Sequence, residues 1–353
     1  MPSALVRNGR VVTASASFEA DLYVDGGRIA LIGQGLSLPA DTVVDASGCL
    51  VMPGGVDVHT HLDMPAGDIV SADDFETGTR AAAFGGTTTV VDFATPERGQ
   101  SLLAALDTWR AKAEGRAVVD YGFHMALREV TDSTLADMAR LARDEGVTSF
   151  KAYLAYPGVL QVDDAAFFRA LVAARECGAL TLVHAENGGV IDVLVKQALA
   201  RGDTAPRFHA LTRPPAVEAE ATARAIALAE IAGAPLYVVH LSCAAALAHV
   251  AAARDRGLPV KAETCPQYLF LSTTDYDRPG FDGALYVMSP PLREAADQDA
   301  LWRGLAGGDV QVVATDHCPF TVADKARGRG DFSKIPNGAP GIETRMMLLW
   351  DGG

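Results

Sequence analysis

Residues 56–62 read Val56-Asp57-Val58-His59-Thr60-His61-Leu62, an apolar run of alternating character. Alternation is typical of a β-strand, in which side chains two residues apart project from the same face. His59 and His61 therefore leave one face side by side, as two ligands of one metal ion would. Because neutral imidazole is a common ligand of zinc-like ions, the stretch predicts a strand that contributes to a metal site.

Strand-like runs alternate with helical stretches along most of the remaining chain. The intervening segments 133–144, 164–174 and 216–232 have helical periodicity. The strand-like runs lie at residues 56–62, 87–93, 118–127, 148–154, 180–186, 235–242, 260–265 and 310–318. Eight buried strands, each followed by a crossover helix, predict an α/β fold of the TIM (β/α)8 barrel type over residues 53–353, with a doubly wound sheet as the alternative.

The two ends of the sequence depart from this pattern. Residues 1–52 contain short strand-like runs broken by turn pairs such as Asn8-Gly9 and Gly26-Gly27, which predict a small β domain without a helix. A last helical stretch over 341–350 closes with Met346-Met347-Leu348-Leu349-Trp350, just before the end of the sequence. Because such an apolar face needs a partner, we expect the chain to be truncated at its C-terminus.

Composition excludes several classes of protein. The chain has 353 residues, 49% hydrophobic and 21% charged, with a formal net charge of −14. No stretch is basic enough to predict a nucleic-acid partner or binding to an anionic membrane. No apolar run has the length of a signal-peptide core or of a membrane span. The five cysteines are scattered, so we expect a cytoplasmic protein without a disulfide framework.

Further metal-binding residue types recur at the ends of the predicted strands. His184 lies near the end of the fifth run, His240 near the end of the sixth and Asp316 near the end of the eighth. Active sites of (β/α)8 barrels lie at the carboxyl ends of the strands, so these residues are predicted to meet His59 and His61 there. The set predicts a metal centre of histidines and one aspartate.

Lys151 lies within the fourth run, where an ammonium facing into a barrel is costly unless it is neutralised. Reaction of its amine with carbon dioxide would give a carbamate, whose two oxygens can bridge two cations. Two metals with a bridging hydroxide predict a hydrolase, because metals lower the pKa of water and polarise a carbonyl. We expect Asp316 to bind one metal and to pass a proton to the leaving nitrogen, and Tyr156 to stabilise the oxyanion.

The sequence resembles the cyclic amidohydrolases, in the dihydropyrimidinase and D-hydantoinase branch. The resemblance extends over essentially the whole chain. It rests on Pro53-Gly54-Gly55-Val56-Asp57-Val58-His59-Thr60-His61-Leu62, Ser149-Phe150-Lys151-Ala152-Tyr153-Leu154-Ala155-Tyr156, His184-Ala185-Glu186-Asn187, Glu263-Thr264-Cys265-Pro266-Gln267-Tyr268-Leu269, Val287-Met288-Ser289-Pro290-Pro291-Leu292-Arg293, Ala314-Thr315-Asp316-His317-Cys318-Pro319-Phe320 and Ile335-Pro336-Asn337-Gly338.

The resemblance implies two Zn²⁺ ions per subunit. One would be held by His59, His61 and Asp316, the other by His184 and His240, with carboxylated Lys151 between them. It also implies that Ser289 and Asn337 bind the ring amide, largely through backbone groups, while Tyr156 stabilises the oxyanion. Residues 1–52 would form half of a small β-sandwich, completed by a C-terminal region that also helps to form a homotetramer.

The implied reaction opens dihydropyrimidines or 5-substituted hydantoins to N-carbamoyl amino acids. Met64 and Tyr153, together with Ala66 and Leu160, lie close to the motifs and predict an apolar pocket mouth. A dihydroorotase is disfavoured, because no arginine follows the histidine pair. An allantoinase-like ureide hydrolase and a non-catalytic scaffold relative remain as alternatives. Among the other histidines, we expect core packing for His124, and solvent exposure for His209 and His249.

Overall fold

Eight parallel strands form the principal sheet of the protein, whose computed structural model describes residues 2–353. In chain order, barrel strands 1–8 are Gly55–Thr60, Thr87–Ala94, Asp120–Ala126, Ser149–Tyr153, Leu180–His184, Leu236–Val238, Val260–Thr264 and Val312–Val313. Each strand is hydrogen-bonded to its neighbours in sequence, in the spatial order 8-7-6-5-4-3-2-1. This order confirms the predicted TIM barrel and excludes a doubly wound sheet, in which the strand order reverses.

The first and eighth strands meet beyond the regular ladder. The backbone N–H of His61 donates to the carbonyl oxygen of His317 at 2.8 Å, and Thr60 forms an isolated parallel bridge with His317. Strand 8 is Val312–Val313, shorter than the predicted run 310–318, and the backbone beyond it has a positive φ of 51° at Asp316. The carboxyl ends of strands 1 and 8 are thereby brought together.

Helices connect the strands. Their bounds are Phe75–Phe84, Leu102–Ala113, Asp132–Asp144, Asp164–Glu176, Gly188–Ala200, Phe208–Leu211, Pro215–Ala232, Ala244–Asp255, Pro266–Phe270, Ala295–Gly307, Val322–Lys325 and Arg345–Gly352. Side chains such as Asp74, Thr131 and Asp163 accept backbone N–H groups at the helix starts, which fixes where these helices begin. Within residues 2–353, no helix combines the length and the apolar character that crossing a membrane requires.

A separate unit ends at Gly55, and the second unit spans Val56–Gly353. The strands of the first unit are Ala4–Val12, Ser17–Asp25, Arg28–Gly33, Thr42–Asp45 and Leu50–Val51. Gly26 and Gly27, both at positive φ, form the predicted turn between two of them.

The predicted turn at Asn8-Gly9 is wrong. Both residues lie inside the first strand, where the pairing register shifts between Val6 and Gly9. Asn8 has a φ of 61°, and its N–H donates to the Asp21 carboxylate at 2.7 Å. The Asn-Gly pair therefore forms a strand irregularity, which that carboxylate stabilises.

Candidate metal centre

His59 on strand 1, His61 directly after it and Asp316 beyond strand 8 form the first half of the site. Nε2 of His59 lies 3.0 Å from Oδ1 of Asp316, and Nε2 of His61 lies 3.2 Å from the same oxygen. Nζ of Lys151, on strand 4, lies 2.9 Å from Nε2 of His59. The predicted strand geometry thus brings both imidazoles and the carboxylate to one point.

His184 and His240 form the second half of the site. His184 ends strand 5, His240 follows strand 6, and Nδ1 of His184 lies 2.9 Å from Nε2 of His240. The ring centroids of His59 and His240 are 5.3 Å apart, so the two halves are in contact. The structure therefore brings together every residue that the sequence predicts as a metal ligand.

Two buried glutamates hold the outer ring nitrogens of this cluster. Glu263 forms a hydrogen bond with Nδ1 of His59, and Glu186 lies 2.9 Å from Nε2 of His184. A carboxylate on one ring nitrogen fixes the tautomer and turns the other nitrogen toward a metal. The sequence analysis missed both roles, since a glutamate two residues after His184, or on a distant strand, gives no local signal.

Burial and neighbouring polar groups together set the charge states in the site. It lowers the pKa of His61 to about 4 and that of His240 well below its usual value, so both rings are neutral, as metal ligands must be. Burial also lowers the pKa of Lys151 to about 8. For Asp316, burial would raise the pKa, but the adjacent His59 and His61 hold it well below its usual range.

Three of the predicted site residues have a strained backbone conformation. Tyr156, His240 and Asp316 adopt positive φ angles of 66°, 39° and 51°, a region that non-glycine residues rarely occupy. Such strain persists only where the surrounding structure enforces it, and it is typical of functional sites. At these residues it coincides with the convergence of the polar side chains.

The donor set fits a divalent metal. Ligand atoms of His59, His61 and Asp316 all lie within 4.8 Å of one another. Imidazole nitrogen and carboxylate oxygen are the ligands of zinc-type hydrolase sites. In the second histidine pair, Nδ1 of His184 and Nε2 of His240 face each other, so both nitrogens are available to one metal ion.

A cavity of about 860 Å³ opens onto the cluster. Its lining includes His61, Lys151, His184, His240 and Asp316. The residues predicted to contact substrate also line it, namely Met64, Ala66, Tyr153, Tyr156, Leu160, Ser289 and Asn337. Metal-ligand candidates and predicted substrate contacts therefore share one pocket.

Comparison with known proteins identifies the family. The sequence pattern of the amidohydrolase family matches residues 50–318. This chain belongs to the amidohydrolase family. The D-hydantoinase of Geobacillus stearothermophilus is 53% identical to this amidohydrolase over 350 residues, which cover 99% of this chain and 74% of that protein. The D-hydantoinase of Streptomyces coelicolor is 56% identical over 351 residues, covering 98% and 75% respectively.

Solved structures agree with the sequence relatives. The dihydropyrimidinase from Brevibacillus agri superposes on this amidohydrolase with a TM-score of 0.97 at 52% identity, covering 99% of this chain and 76% of that one. These relatives confirm the predicted hydantoinase and dihydropyrimidinase branch. The family and the His59, His61 and Asp316 group together support the use of a divalent metal.

One histidine of the amidohydrolase lies elsewhere than the sequence predicts. His209 was expected to face solvent but is only 1% exposed, and its Nε2 lies 2.7 Å from the carbonyl oxygen of Met288. The short helix Phe208–Leu211 turns it against the segment that precedes Ser289. His124 packs in the barrel as predicted, with Nε2 3.0 Å from the carbonyl oxygen of Val58, and His249 is exposed.

Proposed function

We propose that this amidohydrolase opens the cyclic amide ring of hydantoins and dihydropyrimidines by hydrolysis, giving N-carbamoyl amino acids. The observation that supports this most strongly is the convergence of His59, His61 and Asp316 with Lys151 and the second histidine pair at one end of the barrel. The named relatives supply the substrate class.

The proposed ligand sets are His59, His61 and Asp316 for one Zn²⁺, and His184 and His240 for the other. Lys151, as a carbamate, would belong to both sets. Bound metals would lower the pKa of a water molecule and polarise the scissile carbonyl group. Family resemblance further supports a cytoplasmic homotetramer, with residues 1–52 as half of a β-sandwich domain.

Proton movement is assigned to Asp316. Its low pKa keeps the carboxylate ionised at neutral pH. Oδ1 faces the His59 and His61 rings, which leaves Oδ2 to accept the proton of the attacking water and return it to the leaving nitrogen.

Tyr156 and two loop residues are assigned to the substrate. Burial raises the pKa of Tyr156, so its phenol stays protonated and can donate a hydrogen bond to the oxyanion. The backbone groups around Ser289 and Asn337 would bind the ring amide, and Met64 and Tyr153 would contact the ring substituent.

A ring-opening assay tests the proposal. Zinc-loaded protein is expected to hydrolyse hydantoin or dihydrouracil, and His59→Ala is expected to abolish this without unfolding the chain. Removing groups that merely support a ligand costs about 10–100-fold, so loss of the ligand itself should cost at least as much. The exposed His249→Ala is the matched control and should retain activity. An unchanged rate for His59→Ala would rule out the proposal.

A further inference from the structure

Lys325 is a buried lysine outside the proposed metal centre. It is 2% exposed and ends the short helix Val322–Lys325. Its Nζ donates to the carbonyl oxygens of Val287 at 2.8 Å, Pro336 at 2.7 Å and Gly338 at 2.7 Å. An ammonium group has three N–H donors, so each donor has its own acceptor.

The three acceptors belong to the two segments that contain the proposed amide-binding residues. Val287 lies two residues before Ser289, whereas Pro336 and Gly338 flank Asn337. Ser289 and Asn337 line the cavity, but Lys325 is not among the described residues that do so. Lys325 therefore contacts the backbone of the binding segments from behind.

The Asn337 segment also packs closely against the Val287 and Cys318 segments. The N–H of Gly338 donates to the Val287 carbonyl oxygen at 3.0 Å. Gly338 has a φ of 148°, and a Cβ built there would lie 2.1 Å from the carbonyl oxygen of Cys318. Cys318 is two residues beyond Asp316, so this contact fixes the position of the Asn337 segment relative to the proposed metal ligand Asp316.

A buried ammonium is a costly way to stabilise a fold. Burial lowers the pKa of Lys325, whereas hydrogen bonds to three carbonyl oxygens favour its charged form. Apolar residues of similar volume often stabilise a buried position as well as charged groups do. What an apolar residue cannot do is hold three carbonyl groups from two segments at fixed positions.

We propose that Lys325 is a positioning residue, whose three hydrogen bonds fix the distance between the Ser289 and Asn337 segments and so determine how tightly the ring amide is bound. That the bound ligand is a ring amide rests on the proposed function. That Lys325 couples the Ser289 and Asn337 segments does not depend on the ligand.

Lys325→Met tests the proposal, because methionine has a similar length and no donor. Lys196→Met is the matched control, since Lys196 is an exposed lysine that pairs with Asp192 on a helix. Loss of hydrogen bonds to a charged group is expected to raise KM for hydantoin about tenfold or more, with kcat changed less than about threefold. In zinc-loaded protein without substrate, hydrogen exchange over residues 287–293 and 335–341 should accelerate about tenfold or more. Lys196→Met should change neither quantity.

Unchanged KM and unchanged exchange in Lys325→Met would overturn the proposal, as would a fall in kcat alone. If Lys325→Met does not fold, Lys325→Gln provides the same readouts with two N–H donors retained, and a smaller rise in KM is expected. Failure of both variants to fold would assign Lys325 to the fold and would also overturn the proposal. If the wild-type chain opens no ring, the proposed function fails, whereas the exchange measurement still decides whether Lys325 couples the two segments.

Discussion

The amine of Lys151 lies 2.9 Å from Nε2 of His59, the ring nitrogen that also faces Asp316. The other nitrogen of His59 is already bonded to Glu263, so Nε2 is the one available to a metal. An ammonium at that distance would repel a cation. With its pKa lowered to about 8, roughly a tenth of Lys151 is neutral amine at pH 7, which is the form that reacts with carbon dioxide.

Carboxylation of Lys151 is therefore the first prediction. Protein reloaded with zinc in ¹³C-bicarbonate is expected to show a carbamate carbon signal by NMR, and Lys151→Met is expected to lack it. The variant should also bind less metal, because the proposed shared anion is lost. Full metal content and full activity in Lys151→Met would contradict the assignment.

Glu263→Gln is expected to weaken metal binding. The Glu263 carboxylate bonds to Nδ1 of His59 and accepts the Tyr237 hydroxyl at 2.8 Å, so it holds the His59 ring in place. Loss of such a support typically costs about 10–100-fold in metal affinity. Competition with a chromophoric chelator measures the change, with the exposed Glu230→Gln as control. Equal affinities for both variants would show that Glu263 does not orient His59.

Tyr156→Phe is expected to lower kcat by about 10²–10³-fold, the usual effect of removing an oxyanion donor. KM, metal content and the thermal midpoint should change little, because the ring itself remains. Tyr121→Phe removes a hydroxyl from an exposed tyrosine and should leave kcat unaltered. A Tyr156→Phe enzyme with wild-type kcat would exclude the phenol from the reaction.

Protonation of Asp21 in acid should reduce the protection of the first unit against hydrogen exchange. Backbone N–H groups of Asn8 and Leu36 donate to its carboxylate at 2.7 and 2.8 Å and hold its pKa below the usual value. A lowered pKa contributes stability above about pH 4, which is lost as the pH falls through the folded-state pKa. Hydrogen exchange at Leu36, corrected for its intrinsic rate, should therefore accelerate below about pH 4.

Asp21→Asn removes this titration, so the protection of Leu36 should be lower at neutral pH and should vary less with pH. The exposed Asp25→Asn is the control and should retain the wild-type profile. The same pH dependence in the wild type and in Asp21→Asn would show that another group is responsible.

The barrel and its polar strand ends could be predicted from the sequence, because both follow from local periodicity. Residues two apart on a strand share a face, and parallel strands end at one edge, so His59, His61, His184, His240 and Asp316 were placed without knowledge of contacts. The helical stretches predicted at 133–144, 164–174 and 216–232 end within two residues of the observed helix ends, because helical periodicity is also local. The last stretch, predicted at 341–350, is wrong at its start, since the observed helix is Arg345–Gly352.

Contacts between distant segments could not be predicted in this way. The bonds of Glu263 to His59 and of Lys325 to three carbonyl groups join residues far apart in sequence. Asn8-Gly9 has the composition of a turn, yet the Asp21 carboxylate stabilises it within a strand. The burial of His209 could not be predicted either, because it depends on the packing of a short helix against the Ser289 segment.

Metal content measured together with ring opening on one sample tests the central claim most directly. Elemental analysis after reloading with zinc and bicarbonate is predicted to give about two zinc ions per chain, the stoichiometry of two-metal hydrolase sites. Hydrolysis of hydantoin or dihydrouracil should rise in proportion to the bound metal and disappear on chelation. A folded protein that binds no zinc under these conditions, or that opens the ring equally well without it, would contradict the account.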